Sequence, residues 1–239
     1  MKNSVRCLWT AFSGAVLGIL GALIRSRYFE AALDERGFLV PGHALQYVFW
    51  ILAVAVGIFC GIMAFQKGTS PAKAPRGLLA GIGDLLLAGG LGLTVLHMSS
   101  DLSFYGILRI LGLAAAALLL VNGLLLLGKK NLGVLPHGLL CIFLILYLVG
   151  MYSRWSNVPE MERILVPAVA LVLMLPMSCE MAAWDIDQGK TPRLLFLAGM
   201  TAFFSFSALG CPGGELLHVG SGLWALSAVL NLRREGENG

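Results

Sequence analysis

The chain has 239 residues, of which 58% are hydrophobic and 13% are charged, and its mean hydropathy is +0.83. Soluble proteins contain roughly 25% charged residues, so this composition excludes an ordinary soluble domain and predicts a single all-α, polytopic membrane helical bundle over residues 1–239. The formal net charge is +4, and the Lys and Arg residues lie between apolar runs rather than in one patch, so nucleic acid is not an expected partner.

Eight apolar segments reach or approach the roughly 20 residues that a spanning helix needs. The first begins after Lys2 and Arg6 and has 18 residues. It is longer than the roughly 7–15 residues of a signal-peptide core, so we expect a retained span. Turns that contain Gly, Pro and charge separate several segments. The predicted spans cover residues 7–24, 44–65, 77–98, 106–128, 132–152, 164–184, 194–210 and 214–232.

The basic residues predict how the chain is threaded. If the N-terminus is inside, eleven of the 17 Lys and Arg residues fall in inner segments and six in outer segments. Cytoplasmic loops are enriched in Lys and Arg, so this bias predicts that both termini are cytoplasmic. Between the two terminal segments, the inner basic residues are Lys67, Lys73, Arg76, Lys129, Lys130, Lys190 and Arg193.

Glycines four residues apart recur in the first three predicted spans. Helices in lipid associate through small residues that allow close approach, so these positions are expected to be helix-packing sites. The third span is the richest in glycine and is expected to lie centrally. Expected partners are membrane lipids and other membrane helices, from the same chain or another. The predicted packing residues are Gly14, Gly18, Gly57, Gly61, Gly77 and Gly81.

Two acids, Asp84 and Glu180, lie well within predicted spans, where ionisable side chains are costly and often functional. At about 1.5 Å per residue, Asp84 lies roughly 10 Å from the inner end of its helix and Glu180 roughly 7 Å from its own. Asn122 and His137 fall near the same depth. We expect these four residues to form an inner polar layer that binds an ion, a proton or a polar solute.

A structural role is the alternative for both acids. Glu180 could reach the interface beside Asp185 and Asp187 or pair with Lys190, and Asp84 could accept hydrogen bonds from a packed neighbour.

The sequence contains no motif that indicates catalysis, a cofactor or a metal. Walker, GxSxG, HExxH and dinucleotide-binding patterns are absent. His43, His97 and His218 lack the spacing of a metal site, and the five cysteines form no CxxC pair and are expected to be packing residues. We therefore predict no catalytic residues, no metal and no cofactor, and the absence of motifs favours a protein that is not an enzyme over an enzyme.

The segment that contains Tyr152, Trp155 and Pro159, the inner turn GKTPR and the stretch GFLVPGH before the second span carry a resemblance. In these motifs the chain resembles a family of uncharacterised multi-spanning membrane proteins of Clostridia-type Firmicutes. The resemblance covers about half of the chain. It implies a multi-pass protein of the bacterial plasma membrane and no assigned activity.

Three functions are compatible with the sequence. A small-solute or ion transporter of permease type would use the inner polar layer and needs an open polar cleft. A non-enzymatic interaction or sensory protein would seal its acids by packing. A lipid-modifying enzyme would need a histidine–carboxylate pair within reach, for which His137 and Glu180 are the candidates.

Overall fold

The computed structural model describes residues 2–33, 39–40, 42–66, 77–100, 102–155, 161–211 and 216–237, without the side chains of 2–4, 153–155, 161–162 and 233–237. Eight helices form this described part, with no strand beyond a single bridge between Leu33 and Leu39. The all-α prediction and the predicted number of helices are confirmed. The helices are α1 (Lys2–Phe12, a π-helical turn Ser13–Leu17, and Gly18–Ala31), α2 (Ala44–Phe65), α3 (Leu78–Leu96), α4 (Tyr105–Leu127), α5 (Leu135–Trp155), α6 (Met161–Asp185), α7 (Thr191–Ala208) and α8 (Leu216–Glu237).

Six of these helices, α1 to α6, are long enough and apolar enough to cross a membrane. The surface of the bundle supports the same assignment, because large apolar side chains point outward along whole helices. On α2 they recur at helical spacing, and water would disfavour such a stripe. Its members are Ile51, Val54, Ile58, Ile62 and Phe65. The architecture is compatible with a membrane bundle, with six span-length helices in place of the eight spans predicted.

The first helix continues beyond the predicted end at residue 24, through Arg25 to Ala31. Arg25 is buried, and its guanidinium lies 4.7 Å from the ring centroid of Phe29 and 5.4 Å from that of Phe49. Cation–π contacts of this kind stabilise a buried guanidinium. Arg25 also donates to Cys211 Sγ at 3.8 Å. Burial raises the pKa of the Cys211 thiol and Arg25 opposes that rise, so the contact is with a neutral thiol. The charge at Arg25 therefore does not end the helix.

The central helices are α7 and α8, not the third helix as predicted. Among the described helices, α7 packs against α1, α2, α6 and α8, and α8 packs against α1, α3, α6 and α7, whereas α3 packs against α4 and α8. Most of α7 is buried, including Thr201, Ser205 and Ser207. Small and hydroxyl-bearing residues let several helices approach α7 at once, which hydropathy alone does not reveal.

Glycines set the position of α3. A Cβ atom built at Gly81 would lie 2.7 Å from the carbonyl oxygen of Gly123 on α4, and one at Gly90 would lie 2.7 Å from the carbonyl oxygen of Leu216 on α8. Real Cβ atoms do not approach backbone oxygen so closely, so both contacts require glycine. Asp84 lies between these two positions and is therefore held where both α4 and α8 can reach it.

The other predicted packing glycines differ in their surroundings. Cβ atoms built at Gly14 and Gly18 would lie 2.9 Å and 3.0 Å from atoms of α7. Gly57 and Gly77 have ordinary contacts, at 3.5 Å and 3.4 Å. No described atom lies within 4 Å of a Cβ built at Gly61, so the described residues give no packing reason for that glycine.

Candidate functional site

The centre of the candidate site is the buried carboxyl group of Asp84, which has a relative exposure of 0%. Its Oδ2 accepts a hydrogen bond from Asn122 Nδ2 at 2.7 Å, and its Oδ1 accepts one from Trp224 Nε1 at 3.0 Å. Buried polar groups are costly unless they are hydrogen-bonded. The two donors come from α4 and α8, so α3 can carry an acid at this depth only when both neighbours are in place.

His137 lies in the first turn of α5, directly after Pro136, whose missing N–H costs nothing at a helix start. Its ring stacks on the indole of Trp224, with centroids 5.8 Å apart and planes 21° apart. Nε2 is 3.6 Å from Asp84 Oδ1, which is an ion-pair distance but longer than a hydrogen bond. Nδ1 is 2.9 Å from Asp185 Oδ2. The imidazole therefore lies between two carboxyl groups.

Asp185 is the last residue of α6 and the most exposed member of this group. Its side chain is 10% exposed, compared with 1% for His137 and Asp84. Its Oδ1 accepts a hydrogen bond from Asn131 Nδ2 at 3.3 Å. The series Asp185, His137 and Asp84 thus leads from the end of the helices into the bundle. We refer to Asp84, Asn122, His137, Asp185 and Trp224 as the Asp84 cluster.

Asn122 also connects the cluster to the turn between α4 and α5. Its Oδ1 accepts a hydrogen bond from the backbone N–H of Leu132 at 2.9 Å. The turn itself uses left-handed backbone conformations at Lys129 and Gly133, with φ of 60° and 69°. One amide side chain therefore positions both Asp84 and the loop that leads to His137.

The structure brings together three of the four residues predicted for the inner polar layer. Asp84, Asn122 and His137 are in contact through the cluster, whereas Glu180 has a different environment. Glu180 is buried and accepts a hydrogen bond from the backbone N–H of Lys190, the residue that precedes α7. This contact is close to the structural alternative considered for Glu180, except that the backbone of Lys190 is the partner rather than its ammonium group.

Two members of the cluster, Asp185 and Trp224, were not predicted as site residues. Asp185 directly follows a predicted span, where an acid is typical of the membrane interface, and its neighbour Asp187 gives the same signal. Trp224 belongs to an otherwise apolar run. Nothing in the sequence alone indicates that either side chain points toward Asp84.

The three histidines whose spacing argued against a metal site lie outside the Asp84 cluster. His43 accepts a hydrogen bond from the backbone N–H of Leu45 and caps α2, and His97 Nδ1 lies 2.9 Å from the carbonyl oxygen of Leu93. His218 is buried in α8. In the part of the chain that the structure describes, no group of three or more His, Cys, Asp or Glu residues could hold a metal ion.

Several sequence predictions concern residues outside the described part. These are the inner basic residues Lys67, Lys73 and Arg76, together with Pro159 of the outer turn and Gly37, Phe38 and Pro41 of the stretch GFLVPGH.

The fold and the cluster define an all-helical bundle with membrane-length helices and a buried histidine–carboxylate series at one end. Comparison with protein-family models, with curated proteins and with solved structures finds no match to this chain.

Proposed function

We propose that this protein is a small proton-coupled transporter of permease type, and that the Asp84 cluster is its proton-binding site. The observation that carries the proposal is the position of His137 between Asp84 and Asp185. Ionisable residues within membrane helices are rare, face the bundle interior and commonly form proton relays. A carboxyl–imidazole–carboxyl series has the composition of such a relay.

The chemistry of imidazole supports proton transfer from Asp185 through His137 to Asp84. A protonated Asp185 can donate its proton to Nδ1 of His137, and the imidazolium can then release its other proton from Nε2 to the Asp84 carboxylate. Both ring nitrogens can donate or accept. A closing movement of less than about 1 Å would bring Nε2 and Asp84 Oδ1 from 3.6 Å into hydrogen-bond range. A small rearrangement of α3 relative to α5 would therefore open or close the transfer step.

The proposed orientation places the cluster and both termini on the cytoplasmic side. Lys129 and Lys130 lie in the turn between α4 and α5, and Lys190 and Arg193 lie around the start of α7. These basic residues adjoin the helix ends that carry the cluster, and basic residues favour the cytoplasmic side. A bacterial plasma membrane is the location that the family resemblance supports.

A membrane-embedded interaction or sensory protein is the second candidate function. The observation in its favour is that Asp84 is 0% exposed, with Asn122 donating to its Oδ2 and Trp224 donating to its Oδ1. This is the sealed packing expected of an interaction protein, so the proposed transporter requires a second conformation in which a polar cleft opens to the cluster. In an interaction protein the cluster would hold helices together without exchanging protons. A lipid-modifying enzyme has less support, because His137 is only 1% exposed and its Nδ1 is held by Asp185, so a headgroup has little access to the imidazole.

Proton exchange can be tested directly on the full-length protein in liposomes adsorbed to a solid-supported membrane. A rapid pH jump should produce a transient current as protons enter the cluster. Asp84→Asn and His137→Gln should reduce this current to the level of protein-free membranes, because each variant removes one step of the series. The probe is the proton itself, so the experiment needs no identified solute.

Two variants serve as matched controls. His97→Gln repeats the histidine change at the opposite end of α3, and Glu180→Gln removes a buried acid outside the cluster. Both should retain the wild-type current. A wild-type current equal to that of Asp84→Asn would contradict the proposal and favour the interaction protein. A current lost equally in His97→Gln would show that the signal does not come from the cluster.

A further inference from the structure

Two cysteines from neighbouring helices face each other outside the Asp84 cluster. The Sγ atoms of Cys141 on α5 and Cys179 on α6 are 3.5 Å apart. The Cys141 thiol also lies 3.9 Å from the carbonyl oxygen of Leu175, which is on the same helix as Cys179. These residues are 38 positions apart in sequence, so only the packing of α5 on α6 creates the pair.

The pair lies on the apolar outer surface of the bundle. Cys179 is exposed and belongs to a line of exposed residues at seven-residue spacing, which runs from Leu165 and Val172 through Cys179 to Ile186 just after the end of α6. Both cysteines fall within helices that can cross a membrane. Cys179 is six residues from the end of α6, which places it roughly 9 Å inside that end. A reagent that reaches Cys179 from this face must therefore be soluble in lipid.

We propose that Cys141 and Cys179 form a redox-active dithiol that lipid-soluble quinones oxidise to a disulfide. Two thiol protons and two electrons leave the sulfurs, an S–S bond forms, and the quinone takes up both protons and both electrons to become the quinol. A disulfide bond is about 2.05 Å long, so the sulfurs must approach by roughly 1.5 Å. Rotation about the two Cα–Cβ bonds, with a small shift between α5 and α6, provides that movement.

Charge favours this chemistry over metal binding at the same pair. The dithiol and the disulfide are both uncharged, so neither state requires a charge to be moved into hydrocarbon. A metal would require two thiolates and further ligands, and the described residues provide no third ligating group beside the pair. The pair therefore fits a two-electron redox couple.

The proposed disulfide would act on the proton site, an effect that rests on the proposed function. Cys141 is one helical turn beyond His137 on α5, and Cys179 is on the helix that ends at Asp185. Bringing the two sulfurs into bonding distance shifts α5 relative to α6 and would disturb the 2.9 Å contact between His137 Nδ1 and Asp185 Oδ2, through which a proton enters the series. The quinone pool of the membrane would then regulate proton binding.

Thiol counting by intact-protein mass spectrometry tests the redox reaction. Membranes that contain the full-length protein are treated with decylubiquinone, a fully substituted quinone that does not alkylate thiols, then denatured and labelled with N-ethylmaleimide. The chain has five cysteines. Untreated protein should carry five adducts, and oxidised protein should carry three. Reduction with dithiothreitol before labelling should restore five.

Cys141→Ala and Cys179→Ser are the matched controls, and each should keep four adducts with or without the quinone. Cys179 is exposed, so its serine variant should fold even if Cys141→Ala does not. Five adducts after quinone treatment of the wild type would overturn the proposal. So would a loss of two adducts in Cys179→Ser, or oxidation by water-soluble glutathione disulfide but not by the quinone.

The mass readout does not depend on proton exchange, so it can succeed where the proposed function fails. The effect of the disulfide on proton exchange is tested by the pH-jump current. This current should fall at least severalfold after quinone treatment in the wild type and stay unchanged in Cys179→Ser. A disulfide that leaves the current intact would overturn the regulatory effect.

Discussion

Asn122 is the residue whose two amide atoms do the most to position the Asp84 cluster. Its Nδ2 donates to Asp84, and its Oδ1 accepts from the backbone N–H of Leu132. A carboxyl side chain at this position could not make the first contact unless protonated, and an apolar one could make neither. The cluster therefore depends on an amide at position 122, where a helix in hydrocarbon would otherwise favour leucine.

Replacement of Asn122 by leucine should destabilise the protein strongly. The variant leaves the buried Asp84 Oδ2 and the part-buried Leu132 N–H without their partner, and an unsatisfied buried group costs about 1–3 kcal/mol. We expect the free energy of unfolding to fall by about 1–3 kcal/mol, mainly through Asp84, measured by equilibrium denaturation of the purified protein in mixed micelles. Asn131→Leu, which removes only the 3.3 Å contact to Asp185, should cost much less. Equal losses in the two variants would contradict this role of Asn122.

At the level of single residues, the sequence predicts how deep each polar residue lies along its helix but not which way its side chain faces. Helical rise places Asp84, Asn122, His137 and Glu180 at similar depths, and three of them do meet. Glu180 does not, and helical geometry gives the reason. Glu180 and Asp185 are five residues apart, which corresponds to about 140° around α6. When Asp185 faces His137, Glu180 therefore points toward another part of the bundle, where it binds the N–H of Lys190.

At the level of helices, close backbone contacts locate α3. Gly81 meets Gly123 of α4, and a Cβ built at Gly220 of α8 would lie 2.8 Å from the carbonyl oxygen of Leu86. The spacing of Gly14 and Gly18 could be read from the sequence because both glycines belong to one helix. The Gly81–Gly123 contact could not, because Gly123 is an isolated glycine in a leucine-rich run and the pairing of α3 with α4 is not encoded by spacing.

The adjacent pair Gly89 and Gly90 provides a test of these contacts. A methyl group at Gly90 would lie 2.7 Å from the carbonyl oxygen of Leu216, whereas no described atom lies within 4 Å of a Cβ at Gly89. We expect Gly90→Ala to lower the melting temperature measured in detergent, since backbone must move to admit the methyl group. Gly89→Ala should leave it unchanged or raise it slightly, because alanine favours a helix over glycine by up to about 1 kcal/mol. An unchanged melting temperature in Gly90→Ala would show that α3 and α8 are not held together by this close contact between Gly90 and Leu216.

At the level of the whole molecule, the cluster brings together residues from one end of four consecutive helices and from α8. Asp84 is near the start of α3, Asn122 near the end of α4, His137 at the start of α5 and Asp185 at the end of α6. Alternating helix directions bring these positions to one end of the bundle. The long apolar runs made the number of helices predictable. The sequence did not allow us to predict which helices pack against one another, because the burial of α7 depends on contacts with four other helices.

Reporter insertions can test the proposed orientation. Single cysteine insertions after Lys130 and after Gln188, which lie in turns at the cluster end, are made in a cysteine-free background. Labelling with a membrane-impermeant thiol reagent should place both insertions on the cytoplasmic side. An insertion after Ser99, in the turn between α3 and α4, should report the opposite side. Labelling of all three positions from the same side would contradict the alternating arrangement of α3 to α6.

The burial of α7 has a consequence for biogenesis. The apolar helices α1 to α6 can each leave the translocon for lipid as they emerge, because insertion follows hydropathy. By contrast, α7 is not among the six described helices of span length and hydropathy, and the apolar part of α8, Leu216–Leu232, is short. We therefore expect α7 and α8 to dock onto helices that are already inserted. Trp224 lies on α8, so Asp84 on α3 gains this hydrogen-bond donor only after the intervening helices have been synthesised.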